Sequence, residues 1–228
     1  MTEANIQSYL AIFDCDGTLV DSAASIVSTM KTTFVDHGLE VPTNDNIQRI
    51  IGLPLTDAIA RLNPLVSEGD AEMLSEHYKS RFRELRRAGA VHEPMFSGVS
   101  QALAHLDRAN WTMGIATGKA SHGLVATLEP HGILDYFVTR QTSDVAKGKP
   151  HPDMVLRAME ETDTRSETTV MIGDTTFDME MARNAGVKGI GVSWGYHKPE
   201  ELYQAGAAIV IDDFDGLAGV LNTLLEGD

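Results

Sequence analysis

Two aspartates one residue apart, Asp14 and Asp16, stand directly after the apolar run Tyr9 to Phe13, in the segment Asp14-Cys15-Asp16-Gly17-Thr18. In extended backbone alternate residues face the same way, so both carboxylates point together from the end of a strand. Open α/β sheets bind ligands at that edge. Two adjacent carboxylates repel unless a cation or a shared proton joins them. A turn rich in Asp and Gly is also an ordinary exit from a strand, so the segment takes its meaning from a second one. Gly173-Asp174-Thr175-Thr176-Phe177-Asp178 follows the apolar run Val170 to Ile172. Asp174 falls at the strand end, and Asp178 one helical turn onward on the same face. An acid at a helix start complements the macrodipole, which accounts for one aspartate. It does not account for paired carboxylates at two separate strand ends. Clustered oxygen ligands with no Cys, and no His beside them, suit a hard cation, best matched by Mg²⁺.

Two further segments add hydroxyl, amide and positive charge. Thr117-Gly118-Lys119 follows the run Met113 to Ala116, placing a hydroxyl and backbone N–H groups at a third strand end. Lys147-Gly148-Lys149-Pro150 precedes a helix expected from Pro152. A lone lysine is ordinarily a solvated surface charge, but the flanking Gly and Pro point to a fixed loop.

The elements that must position these residues alternate. Short apolar runs at 9–13, 113–116, 170–172, 189–192 and 207–211 lack clean period-two alternation and fit strands buried on both faces of a parallel sheet. Between them, Val99, Ala102, Leu103 and Leu106 mark a helix with Ser97 as N-cap, Val155, Ala158 and Met159 mark another, and 175–185 a third, closed by Gly186. The spacing predicts a doubly wound α/β sheet. The stretch Ser22 to Arg87 breaks this rhythm. It carries helical stripes (Val27, Met30, Phe34, then Ala71, Leu74, Tyr78, Phe82, Leu85) and helix-start signals at Pro42-Thr43 and Ser67-x-x-Asp70, with no strand pattern. It is expected to be an inserted helical bundle.

Composition narrows the partners. The 228 residues are 43% hydrophobic, too apolar for disorder, and carry a formal charge of −15. Nucleic acid and an anionic membrane surface would repel such a chain, so neither is expected as a partner. Cys15 stands alone, which excludes an intramolecular disulfide framework and a CxxC metal site. No apolar run approaches the ~20 residues of a membrane span. The start, MTEANIQSYL, has neither a basic segment nor a long apolar one, so a cytoplasmic location is expected.

Taken together and in order, Asp14 to Thr18, the strand ending in Thr117, Lys149-Pro150 and Gly173 to Asp178 resemble the haloacid dehalogenase-like superfamily. The helical insertion after the first motif, and less specifically Gly191 to Tyr196, look like its phosphoglycolate phosphatase-like branch. The resemblance implies a three-layer Rossmann-like core with a parallel sheet (residues 1–20 and 90–228), an all-helical cap domain (21–89) and Mg²⁺-dependent phosphoryl transfer on a small phosphorylated metabolite. It implies Asp14 as nucleophile and Asp16 as general acid and base. The metal ligands it implies are the Asp14 carboxylate, the Asp16 carbonyl, Asp174 and Asp178. Thr117, Gly118 and Lys149 would hold the phosphate.

Within the superfamily, an aspartate two residues after the nucleophile favours phosphate esters over dehalogenation. A β-phosphoglucomutase-like mutase is the alternative. Its cap loop carries basic residues around a glycine, whereas this one reads Ile50-Ile51-Gly52-Leu53-Pro54-Leu55. Its branch-typical histidine is replaced near Ile26. Arg49 is the one nearby cation, and Arg49, Leu53 and Leu55 are the cap residues expected at the leaving group. A non-catalytic metal- or phosphate-binding module would need a lost catalytic residue, and none is lost. Cys15 is expected to face away from the two aspartates, with a thiol made less acidic by them. His151 is expected at an exposed helix start. Trp194 and Tyr196 are expected in ordinary loop packing, with the entrance to the site as the other place for them.

Overall fold

The computed structural model describes residues 8–226; most of the segment MTEANIQSYL, from which a cytoplasmic location is expected, lies outside them. Six parallel strands form one sheet: β1 (Leu10–Phe13), β2 (Thr112–Ala116), β3 (Thr139–Gln141), β4 (Thr169–Gly173), β5 (Lys188–Val192) and β6 (Ala207–Ile211), in the order β3-β2-β1-β4-β5-β6. The order reverses at β1, which lies between β2 and β4. The crevice at such a reversal, at the carboxyl ends of the strands, is where open α/β sheets take ligands.

β1 shows how the layers arise. Its four residues are fully buried and point alternately to two cores. Ala11 and Phe13 join Leu103 of α5 (Val99–Arg108), Leu124 of α6 (Ser121–Leu128) and Leu221 of α10 (Leu217–Glu226). Leu10 and Ile12 join Met154 and Val155 of α7 (Asp153–Thr162) and Met181 of α8 (Thr176–Ala185). The outcome is a three-layer α/β core, as expected. A further helix, α9 (Pro199–Ala205), packs near β6.

Four helices lie between β1 and the later strands: α1 (Ala23–Asp36), α2 (Asn44–Gln48), α3 (Leu55–Leu62) and α4 (Glu68–Arg87). Thr43 caps α2, accepting from the Asn46 N–H, and Ser67 caps α4, accepting from the Asp70 N–H. The bundle has its own apolar centre, with Met30, Phe34, Ile47, Ile59 and Leu74 buried together. Its two connections to the sheet run side by side. Val20 bridges Met95, the Asp21 N–H donates to the Pro94 carbonyl, and the Phe96 N–H to the Leu19 carbonyl.

Two local expectations need correction, and one strand was not foreseen. The residue capping α5 is Gly98, in left-handed backbone, rather than Ser97. β6 is only partly buried because it is the sheet's edge, where one side lacks a neighbour. β3, with the sequence Thr-Arg-Gln, has no apolar run to announce it. No helix among the described residues is long and apolar enough to cross a membrane.

Candidate active site

The ends of β1 and β4 bring Asp14 and Asp174 together, and the first turn of α8 adds Asp178. One carboxylate oxygen from each lies within 4.8 Å of the others. All three are buried, as is Lys149, whose Nζ lies 2.8 Å from Asp14 Oδ1 and 2.6 Å from Asp178 Oδ1. Both contacts are buried ion pairs. Directed hydrogen bonds hold both oxygens of Asp174 and the second oxygen of Asp178. Asp174 Oδ1 accepts from Thr18 Oγ1 at 3.0 Å and Oδ2 from the Tyr196 N–H at 2.9 Å. Asp178 Oδ2 accepts from the Thr175 N–H at 3.0 Å and Thr175 Oγ1 at 2.7 Å, completing a capping box. Gly17, at φ +81°, must be glycine: a Cβ there would stand 2.3 Å from Asp174 Oδ2.

Three buried carboxylates facing one ammonium are an unbalanced set. Burial pushes Asp14 up to about 7 against the pull of Lys149. Burial, then Asp14 and Asp178, push Asp174 well above the usual carboxylate range. Burial lowers the Lys149 ammonium, but Asp14 and Asp178 more than offset it and its pKa is raised. Asp14 Oδ2 is buried with no hydrogen-bond partner among the described residues. An unpartnered buried carboxylate oxygen beside two more carboxylates fits a hard dication, which supplies the missing charge through oxygen ligands.

Asp16 faces a different neighbour. It is 7% exposed, and its Oδ1 accepts from Ser22 Oγ and pairs with Lys119 Nζ at 2.9 Å. The Ser22 hydroxyl lies 3.4 Å from the Tyr196 hydroxyl. Lys119 also pairs with Glu93, at 3.3 Å, and Glu93 with Arg86 at 2.7 Å. Burial lowers the Lys119 ammonium, but Asp16 and Glu93 outweigh it and its pKa rises. Lys119 was legible as part of the Thr117 loop, but its partners were not.

Thr117 is buried at the end of β2; its N–H donates to the Gln141 carbonyl and its Oγ1 accepts from the Lys119 N–H at 3.2 Å. The loop 50–55 of the helical insertion lies on this strand end. A Cβ on Gly118 would meet the Gly52 and Leu53 carbonyl oxygens at 2.7 Å, and one on Gly148 would meet Pro54 Cγ at 2.1 Å. Beside that contact is a cavity of about 350 Å³ which reaches Asp16 and is lined by Leu53 and Leu55. The Arg49 side chain does not line it: its guanidinium spans both oxygens of Glu201, at 2.6 and 3.3 Å, and ties the insertion to α9.

Several residues lie nearby without joining the carboxylates. His197 is buried; its Nδ1 accepts from the Thr176 N–H, so Nε2 carries the proton and donates to the Arg49 carbonyl at 3.1 Å. It thus fixes the start of α8 and the cap loop at once, a role no local pattern announced. Cys15 points into the core, and burial, then Asp16, push its thiol well above the usual range. His151 is exposed beside the start of α7. Trp194 packs against Phe96 and Phe214, as ordinary loop packing. Tyr196 is drawn into the site by the contacts above.

Comparison with known proteins places this arrangement. The haloacid dehalogenase-like hydrolase family matches residues 11–192, and the chain belongs to that family. Within it, the chain is of the phosphoglycolate phosphatase-like branch. A phosphoglycolate phosphatase of Agrobacterium fabrum is 32% identical, covering 94% of this chain and 92% of its own length. "Probable phosphatase IndB" of Dickeya dadantii is 37% identical over 95% of both chains. The crystal structure of a hydrolase from Pseudomonas syringae is 28% identical, superposes with a TM-score of 0.82, and covers 94% of this chain and 97% of its own.

Proposed function

We propose that the protein is a Mg²⁺-dependent phosphatase that hydrolyses a small-molecule phosphomonoester through an aspartyl-phosphate on Asp14. The observation that carries this reading is the buried trio Asp14, Asp174 and Asp178 facing the single ammonium of Lys149 at the sheet's reversal point. In the first step an Asp14 oxygen attacks phosphorus, the P–O bond to the alcohol breaks, and Asp16 gives its proton to the departing oxygen. In the second, Asp16 takes a proton from water as that water attacks the phosphoryl group, releasing inorganic phosphate and restoring Asp14. Thr117, the N–H groups near Gly118 and Lys149 are the proposed phosphoryl-oxygen donors. Mg²⁺, held by Asp14, Asp174, Asp178 and the Asp16 carbonyl, would supply positive charge where the phosphate dianion meets a carboxylate.

The reading includes a core of 1–20 and 90–228 and a cap of 21–89, supported by the bundle's separate apolar centre and its paired connections. It includes a cytoplasmic location, supported by a lone cysteine kept as a buried free thiol. The mutase alternative draws no support from the cap loop, whose one cation close by in sequence, Arg49, is engaged by Glu201.

The test is phosphate release from p-nitrophenyl phosphate with Mg²⁺ and with a chelator, alongside a hexose 1-phosphate. Metal-dependent release without isomerised sugar phosphate is expected. Absence of release, or an isomerised sugar phosphate as the main product, would refute it.

A further inference from the structure

The cavity that ends at Asp16 is larger and greasier than a two-carbon leaving group needs. Its volume of about 350 Å³ falls at the low end of the ~300–1,000 Å³ of sites that enclose drug-sized ligands. Its walls are Ile26 and Met30 of α1, Leu53 of the cap loop, and Tyr78 and Phe82 of α4. The rings of Tyr78 and Phe82 stack at 5.7 Å with 26° between their planes. A short, highly hydrated anion such as glycolate or a second phosphate gains nothing from such walls and loses water against them.

The charges around the cavity run against those of the whole molecule. The chain carries −15, yet one carboxylate, Asp16, lines the cavity with five cations: Lys79, Arg83, Arg86, Arg87 and Lys119. Three of these are engaged, Lys79 by Glu76, Arg86 by Glu93, and Lys119 by Asp16 and Glu93. Arg83 and Arg87 are exposed and make no hydrogen bond or ion pair among the described residues. A net acidic protein that gathers unpaired guanidinium groups at the lip of an apolar cavity presents complementarity for an anion there.

We infer that the leaving group of the substrate is a bulky, mainly apolar alcohol with a second anionic group. Its apolar body lies against Tyr78 and Phe82, and its anion reaches Arg83 and Arg87. The inference rests on the phosphatase reading above, in which Asp16 meets the leaving oxygen.

Three alkyl phosphates with comparable leaving oxygens test it: 2-phosphoglycolate, benzyl phosphate and 4-carboxybenzyl phosphate. With the whole protein and Mg²⁺, kcat/KM for benzyl phosphate is expected to exceed that for 2-phosphoglycolate by roughly tenfold or more, since burying a phenyl ring is worth that much. The added carboxylate is expected to raise it further, by about fivefold, as a partly exposed charge pair would. In R83Q/R87Q the ratio of 4-carboxybenzyl to benzyl phosphate should fall to about one. Equal or better turnover of 2-phosphoglycolate than of benzyl phosphate overturns the inference. A carboxylate increment that is absent, or that survives the double substitution, overturns it as well. Failure to hydrolyse p-nitrophenyl phosphate with Mg²⁺ would instead overturn the phosphatase reading beneath it.

Discussion

Lys119 Nζ lies 2.9 Å from Asp16 Oδ1. The same ammonium reaches Glu93, on the segment where the chain leaves the helical bundle, so one partly buried cation joins the carboxylate after β1 to that connection. Glu93 is in turn held by Arg86, at the end of α4, and by Thr127 of α6.

If Lys119 aims Asp16 at the leaving oxygen, its loss should matter most where the leaving group needs a proton. A positioned acid contributes ~10²–10⁴ in rate, and p-nitrophenolate leaves with little help. K119M is expected to lower kcat/KM for benzyl phosphate by about tenfold or more, and for p-nitrophenyl phosphate by less than about threefold. Equal losses on both substrates would count against the aiming role. Thermal unfolding of the same variant checks that the fold survives the loss of this partly buried cation.

Glu93 gives a pH dependence of stability whose sign can be worked out. Burial raises its carboxyl, but Lys119 and Arg86 outweigh burial and hold it below its ordinary value of 4.5. A lowered native pKa means stability that is complete above the unfolded pKa and is lost as pH falls through the native one. The stability gap between wild type and E93Q, from urea unfolding, should therefore be widest near neutral pH and narrow below about pH 4.5. A gap that stays constant into acid would contradict the assignment.

The contact between the cap loop and the strand ends can be tested by adding one carbon. Gly118 needs no left-handed backbone, so G118A is disturbed only by the Gly52 and Leu53 carbonyls, which would have to move away. The expected result is a fall of about tenfold in kcat/KM, the order of loss that small misplacements near a site bring, with the unfolding temperature changed by only a few degrees. G148A, pressing on the Pro54 ring, should act in the same direction. Unaltered kinetics in both would show that this contact does not govern turnover.

The carboxylates were legible because each follows an apolar run and shares a face with its partner, as Asp14 does after β1 and Asp178 with Asp174 through the first turn of α8. What stayed hidden was long-range. Glu93 stands 26 residues before Lys119, and no periodicity links them. Arg49, beside the cap loop in sequence, turns to Glu201, 152 residues away. His197 reaches back to the Arg49 carbonyl in the same manner. β3 has no local signal because its three polar-leaning residues form a strand only through pairing with β2. Local pattern thus located the charge cluster, and tertiary contact determined which cations face it.

Intact-protein and peptide mass spectrometry of acid-quenched reactions reads the formation of a phosphoryl group on Asp14 directly. Wild-type protein mixed with p-nitrophenyl phosphate and Mg²⁺ is expected to carry one phosphoryl adduct on the peptide containing Asp14. D14N, folded as judged by its unfolding transition, should carry none and should release no phosphate above background. Phosphate release by D14N at a rate near that of wild type, or an adduct on any other residue, would contradict the account.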